Sequence, residues 1–334
     1  MNTTLLLDLD GTLLENDIDV SLPVYIQLFS KHVADLIDPD LFVQSLIAGS
    51  RLMVENSLPD RTLEEVFKSY FFAKTGLDEA QFYPYSEEFY TRIYPEVRPY
   101  TKQIPGVEKF IESVVDLGFS IVIATNPLFP RTAVLQRLSW AGIPIDRYPF
   151  QLVTSFENSH FAKPNPAYYT EILGKLGWSD SRIVVVGDEL GRDIYPSNLL
   201  GLETFWIEQP GETHTNHPAI PTASGSIQDV IPWLQKTTDK PYKPDMESIP
   251  TMLSILRSTP AVLIDICSQI DVQDWGRRPD SENWCPTEIV CHLRDVENEV
   301  NIPRVYQILN ENKPFLTGVD TDAWATLRNY RDQD

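Results

Sequence analysis

Apolar residues recur along the chain in two different rhythms. Short apolar runs at residues 5–7, 120–124, 150–154, 183–186 and 204–207 lack polar alternation and predict strands buried on both faces. Before and between the last four, helical patterns run over 107–115, 133–140 and 166–176, closed by Gly118, Gly142 and Gly177, the residue favoured just past a helix end. Alternating strands and helices predict an α/β fold with a parallel sheet covered by helices on both faces. A different rhythm fills residues 15–100. Val24, Leu28 and Val33, then Leu63, Val66, Phe67, Tyr70 and Phe71, recur at helical spacing. Pro23, Pro39, Pro59 and Pro84 are expected to cut this stretch into four or five helices. It is therefore expected to be an all-helical insertion after the first strand. Near Trp233 the alternation stops. Residues 236–245 are polar, carry two prolines and predict a linker. Residues 246–334 return to a helical pattern and predict a second, all-α domain.

The 334 residues are enough for two or three folding units. Charge adds an exclusion. Lys+Arg number 27 against 48 Asp+Glu, a formal net charge of -21, which repels phosphate backbones and anionic lipid surfaces. Nucleic-acid and membrane partners are thus not expected, and a phosphorylated substrate needs local cations. The three cysteines, Cys267, Cys285 and Cys291, lack Cys-x-x-Cys spacing and are expected to be reduced thiols. No uninterrupted apolar run approaches the ~20 residues of a membrane span. No signal-peptide pattern opens the chain, and a cytoplasmic location is expected.

The chemistry gathers where the strands end. The first run stops in Asp8-Leu9-Asp10-Gly11-Thr12, placing two carboxylates one residue apart. Such a pair is costly unless a cation lies between them. The second run ends in Thr125-Asn126; Lys163-Pro164 follows the third; Gly187-Asp188 ends the fourth, with Asp193 five residues on. Ligands of open parallel sheets bind at the carboxyl ends of the strands. Carboxylates converging there without Cys or His predict a hard cation, Mg²⁺, bound by Asp8, Asp10, Asp188 and Asp193. A lysine and a hydroxyl beside it suit the oxygens of a phosphoryl group.

These four segments, in order, resemble the motifs of the haloacid dehalogenase superfamily of hydrolases over residues 1–235. The resemblance implies a Rossmann-like core formed by 1–14 and 101–235, with residues 15–100 as a helical cap. It implies Asp8 as nucleophile, Asp10 as general acid and base whose backbone carbonyl also faces the metal, and Thr125, Asn126 and Lys163 as phosphoryl-binding groups. Asp188 would ligate Mg²⁺ and Asp193 would ligate through water or orient the loop. The expected activity is hydrolysis of a small phosphorylated metabolite through an aspartyl-phosphate. The alternative within the fold is a haloacid-type hydrolase. Asp10 argues against it, because a halide leaves without a proton. Arg51 and Arg92 are candidate cationic contacts in the cap.

In the last segment Pro286 opens a helix whose apolar stripe is expected to be Ile289, Leu293, Val296 and Val300, with His292 beside it. Trp284-Cys285-Pro286-Thr287-Glu288, His292-Leu293-Arg294-Asp295 and Asp320-x-Asp322-Ala323-Trp324 resemble the DinB-like (DinB/YfiT) helical bundles. The resemblance implies that His292 matches the first of three metal-binding histidines. His32, His160, His214 and His217 do not match the others. Only half of a four-helix bundle is present, so no complete metal site is expected here. A half bundle exposes an apolar face, which favours packing on the first domain or homo-oligomerisation. A third reading of the chain is a scaffold that binds a partner through this segment.

Overall fold

The computed structural model describes residues 3–178, 181–209, 217–236 and 244–333. Strand β1 (Thr3–Leu7) leads into a short strand, β2 (Leu14–Asn16), and then four helices, α1 (Ile18–His32), α2 (Pro39–Glu55), α3 (Leu63–Thr75) and α4 (Glu79–Glu88). A π-helical turn (Phe89–Ile93) and a 3-10 segment (Tyr94–Tyr100) return the chain to β3 (Thr101–Gln103). Alternation follows: α5 (Val107–Asp116), β4 (Ser120–Ile123), α6 (Arg131–Trp140), β5 (Phe150–Val153), α7 (Pro166–Lys175), β6 (Arg182–Gly187), α8 (Tyr195–Leu199), β7 (Glu203–Ile207), β8 (Ala223–Gly225) and α9 (Ile227–Lys236).

Six strands form one parallel sheet in the order β5-β4-β1-β6-β7-β8. Side chains of a strand alternate between its faces, and here both faces are buried. Leu5 and Leu7, Ile121 and Ile123, and Val184 and Val186 enter one core with Phe110 and Val230. Leu6, Val122, Ile183 and Val185 enter the other with Tyr168 and Ile172 of α7. That two-sided burial explains the unalternating runs in the sequence. The fold is α/β, with helices on both faces of a parallel sheet.

Helices α1–α4 and the turns after them enclose their own aromatic core. Phe29 and Phe89 stack at 3.9 Å between ring centroids, with Phe42 and Tyr25 edge-on to Phe29. Two of the four prolines do not break helices as expected. Pro23 lies inside α1 and Pro84 inside α4. Burial of Tyr25 and Phe29 on one face of α1, and of Phe82 in α4, outweighs the hydrogen bond each proline forfeits. Pro39 behaves as expected and starts α2 at its first turn.

The chain divides into two compact units, Met1–Val262 and Leu263–Asp334, and the division falls inside α10 (Ile249–Ser268). Residues 237–243 of the polar stretch, and His214, lie outside the described residues. In its first half α10 packs on α7. Thr170 bonds the Ser254 carbonyl and the Ser258 hydroxyl, and Val262 lies against Gly174. By length and composition α10 is long and apolar enough to cross a membrane, although Ser254, Arg257, Ser258, Thr259 and Asp265 interrupt its apolar run.

The second unit carries α11 (Pro286–Val296), a π-helical turn (Glu297–Asn301), α12 (Ile302–Asn310) and α13 (Trp324–Leu327). Its small core joins Cys291, Ala325 and Tyr330 with Trp284 and Trp324. Asp295, held far below the ordinary carboxylate range by Arg294 despite partial desolvation, also accepts hydrogen bonds from Arg328 and Tyr330. The expected apolar stripe is only partly buried. Val300 is buried, whereas Ile289 and Leu293 are each 44% exposed, because α11 turns Cys291 and Asp295 inward instead. All three cysteines are free thiols.

Candidate active site

Asp8 follows β1, Thr125 and Asn126 follow β4, Lys163 ends the loop after β5, and Asp188 follows β6. The parallel order places these strand ends side by side. Lys163 Nζ donates to Asp8 Oδ1 at 2.7 Å and to Asp193 Oδ1 at 2.6 Å. Asp193 sits in a π-helical turn (Leu190–Ile194) and also accepts from the Glu189 amide at 3.1 Å. Carboxylate oxygens of Asp8, Asp188 and Asp193 lie within 4.8 Å of one another. Lys163 and Asp193 are buried, and Asp8 nearly so.

Three acids around one lysine leave an excess of negative charge in a desolvated place. Burial, opposed by Lys163 and reinforced by Asp193 and Asp10, pushes Asp8 up to about 7. Burial and repulsion from Asp8, Asp193 and Glu189 push Asp188 up to about 9. A divalent cation among these oxygens would relieve that excess, so the donor set fits a hard metal. Two glycines keep the space tight. A Cβ on Gly11, whose φ is +86°, would lie 2.0 Å from Asp188 Oδ2. A Cβ on Gly187 would lie 2.3 Å from the Asp193 carboxyl carbon. Gly11→Ala should therefore cost about 1–3 kcal/mol for the backbone conformation alone and displace Asp188. A lowered Tm, together with loss of any Mg²⁺-induced rise in Tm, is the expected result.

Asp10 stands apart from the three acids. Its carboxylate is paired with the buried Arg137 and accepts from Asn16 Nδ2 at 2.8 Å. Asn126 accepts the Lys163 amide at 3.2 Å, and the Thr125 carbonyl accepts from Thr154 and Tyr168, both at 2.8 Å. The loop carrying Lys163 is anchored by Glu171 of α7, which accepts the amides of His160 and Phe161. Burial opposes the charge on Glu171, but its bonds from His160 and the nearby Lys175 hold it below its ordinary value. Trp206 Nε1 donates to the Asp188 carbonyl at 2.8 Å, and Gln209 bonds the Gly11 carbonyl at 2.9 Å.

Asp8, Asp10, Thr125, Asn126, Lys163, Asp188 and Asp193 all line one cavity, which extends beneath helices α1–α4. Arg51 and Arg92 do not line it; both are exposed and paired along their own helices with Glu55 and Glu88. The sequence reading missed Arg137. Between Gln136 and Leu138 it reads as an ordinary helical arginine, and its partner lies far away in sequence. Asn16 and Gln209 gave no signal either. His292 packs on Trp284 at 4.7 Å between ring centroids, and its Nδ1 is buried without a hydrogen-bond partner among the described residues. It is not in the three-ligand group formed by Asp8, Asp188 and Asp193.

Residues 3–195 match the family described as haloacid dehalogenase-like hydrolase. The chain is 26% identical to a phosphoglycolate phosphatase of Aquifex aeolicus (strain VF5) over 204 residues, 60% of this chain and 82% of that protein. It is 26% identical to the pyrimidine 5'-nucleotidase PynA of Streptococcus pneumoniae over 238 residues, 70% of this chain and 94% of that one. Among solved structures, a 2-haloacid dehalogenase from Pseudomonas syringae pv. Tomato DC3000 shares the fold, with 21% identity, a TM-score of 0.50, and coverage of 71% of this chain and 99% of that one.

Proposed function

The chain belongs to the haloacid dehalogenase-like hydrolases, and from that premise we propose that it is a Mg²⁺-dependent phosphatase acting on a small phosphomonoester in the cytoplasm. The observation that carries this reading is the grouping of Asp8, Asp188 and Asp193 around a single buried lysine, with Asp10 held separately by Arg137. The phosphatase and nucleotidase relatives support it.

Asp8 attacks phosphorus, and the bond from phosphorus to the alcohol oxygen breaks as the bond to Asp8 forms. Asp10 gives its proton to the departing oxygen. Water then attacks the aspartyl-phosphate, Asp10 takes a proton from it, and phosphate leaves with Asp8 restored. Lys163, Thr125 and Asn126 hold the phosphoryl oxygens. Asp8, Asp188, Asp193 and the backbone carbonyl of Asp10 would hold Mg²⁺, which would supply charge to offset that of the phosphoryl group. The test is phosphate release from a panel of phosphomonoesters and halide release from haloacids, each with Mg²⁺ and with chelator. Mg²⁺-dependent phosphate release is expected; halide release without phosphate release would overturn the reading.

Metal binding should depend on pH. Protons on Asp8 and Asp188, retained up to about 7 and 9, compete with the cation. The rise in Tm on adding Mg²⁺ should be small near pH 5.5 and grow toward pH 9. Without metal the slope has the opposite sign. The folded state holds more protons than the unfolded chain between the ordinary carboxylate range and about 9, so stability falls as pH rises through that window. Thermal melts across pH with and without Mg²⁺ check both slopes.

Residues 1–14 and 101–235 are proposed as the hydrolase core, 15–100 as its cap, 236–245 as the linker, and 246–334 as a DinB-like partial bundle. Exposure of Leu309, Phe315 and Leu327, at 74%, 82% and 77%, supports association of that segment with a second copy or a partner.

A further inference from the structure

The cavity above the strand ends has a volume of about 1610 Å³, larger than a small metabolite needs. Its walls divide into two regions. Around the aspartates they are polar; beneath the cap they are aromatic, with Phe29, Phe67, Phe72, Tyr90, Phe129 and Phe156 facing the space. The basic residues of the wall are Lys68, Arg137, Lys163 and Arg192, against twelve carboxylates. Each of these four is ion-paired, although Arg137 is so through Nη1 alone and keeps its buried Nε and Nη2 without a hydrogen-bond partner among the described residues. Lys68 bridges Glu64 and Glu79 at 2.9 and 2.8 Å, Arg137 holds Asp10, Lys163 holds Asp8 and Asp193, and Arg192 holds Glu189 at 2.9 Å. Thus, among the described residues of the wall, the buried guanidinium edge still open is that of Arg137, beside Asp10 at the strand ends, whereas Lys68 under the helices is held between two carboxylates. A second phosphate or a carboxylate reaching into the aromatic region would have to break the Lys68 ion pairs or sit among acids. An apolar group gains instead, since each buried methylene tightens binding about fourfold.

We propose that the substrate is a phosphomonoester of a bulky, uncharged, apolar alcohol, aryl or long alkyl, without a second anionic group. This rests on the phosphatase reading and narrows it. The phosphoryl group meets Lys163 at the strand ends, and the alcohol portion fills the aromatic chamber of the cap.

The test compares esters with similar alkyl leaving groups. With Mg²⁺, kcat/KM should climb from propyl to hexyl phosphate and exceed that for phosphoglycolate by at least about 100-fold, the gain expected from roughly four buried methylenes. A flat alkyl series, or a preference for phosphoglycolate or fructose 1,6-bisphosphate, overturns the proposal. A binding arm separates it from the question of turnover. Hexylphosphonate should bind the Mg²⁺-loaded protein at least about tenfold tighter than phosphonoacetate by calorimetry, as burial of even two methylenes would give. Phe67→Ser should erase most of that difference while leaving phosphonoacetate binding unchanged; an undiminished difference places the tail elsewhere and overturns the chamber assignment. Tight hexylphosphonate binding with no ester hydrolysed removes the phosphatase reading and keeps the chamber assignment. Tighter phosphonoacetate binding removes this proposal whichever ester is hydrolysed.

Discussion

Asp8→Asn should lower kcat for phosphate release by at least about 10⁴-fold, the scale seen when a catalytic nucleophile is removed, without lowering Tm in metal-free buffer at pH 8. The two halves of this expectation come from one cause. In the proposed mechanism the carboxylate is the attacking group, and its amide cannot form the acyl-phosphate. The same carboxylate is buried beside Asp193 and Asp10 and carries a proton up to about 7, so at pH 8 its charge costs stability. A neutral isostere removes that cost, although it also loosens the contact with Lys163. Steady-state phosphate release and a thermal melt on the same preparation read both. Retained turnover would end the role assigned to Asp8. Lost turnover with a collapsed Tm would mean only that the protein had unfolded.

Lys163→Met should do the reverse to stability. The lysine is 2% exposed and holds two carboxylates at once. Removing one partner of a buried ion pair costs about 3–5 kcal/mol, a fall in Tm of about 6–20 °C for a unit of this size. Part of that loss should return as pH falls, and from a higher pH than about 7, because Asp8 without Lys163 holds its proton more tightly. Turnover should fall by about 10²–10³, as when one preorganised donor to a reacting oxyanion is deleted. A variant with normal Tm and normal kcat would show that the lysine neither holds the acids together nor meets the substrate.

The sheet and the rim of the site were legible because both follow from strictly local patterns. Short unalternating runs rich in β-branched residues, such as 183–186, fit a doubly covered strand better than a helix, and the polar residues that end them then emerge at the carboxyl edge. What escaped was written in distant partners. Arg137 gains its meaning from Asp10, Gln209 from Gly11, and neither pairing leaves a periodic trace. The short strands β2 and β3 were missed because three mostly polar residues carry no period at all. Pro23 and Pro84 misled for a related reason: a proline's local cost is visible in sequence, whereas the aromatic packing that absorbs it is not.

The pairing of β2 with β3 has a broader meaning. Leu14 faces Gln103 and Asn16 faces Thr101 across an antiparallel ribbon. The chain therefore leaves the core and re-enters it through a single doorway, two strands about 5 Å apart. Everything between these strands is a cassette. It can lengthen, shrink or be exchanged without altering the register of β1 against β4 and β6, where the reacting groups are fixed. On the proposed division into cap and core, recognition and reaction would then reside in separable parts of the chain.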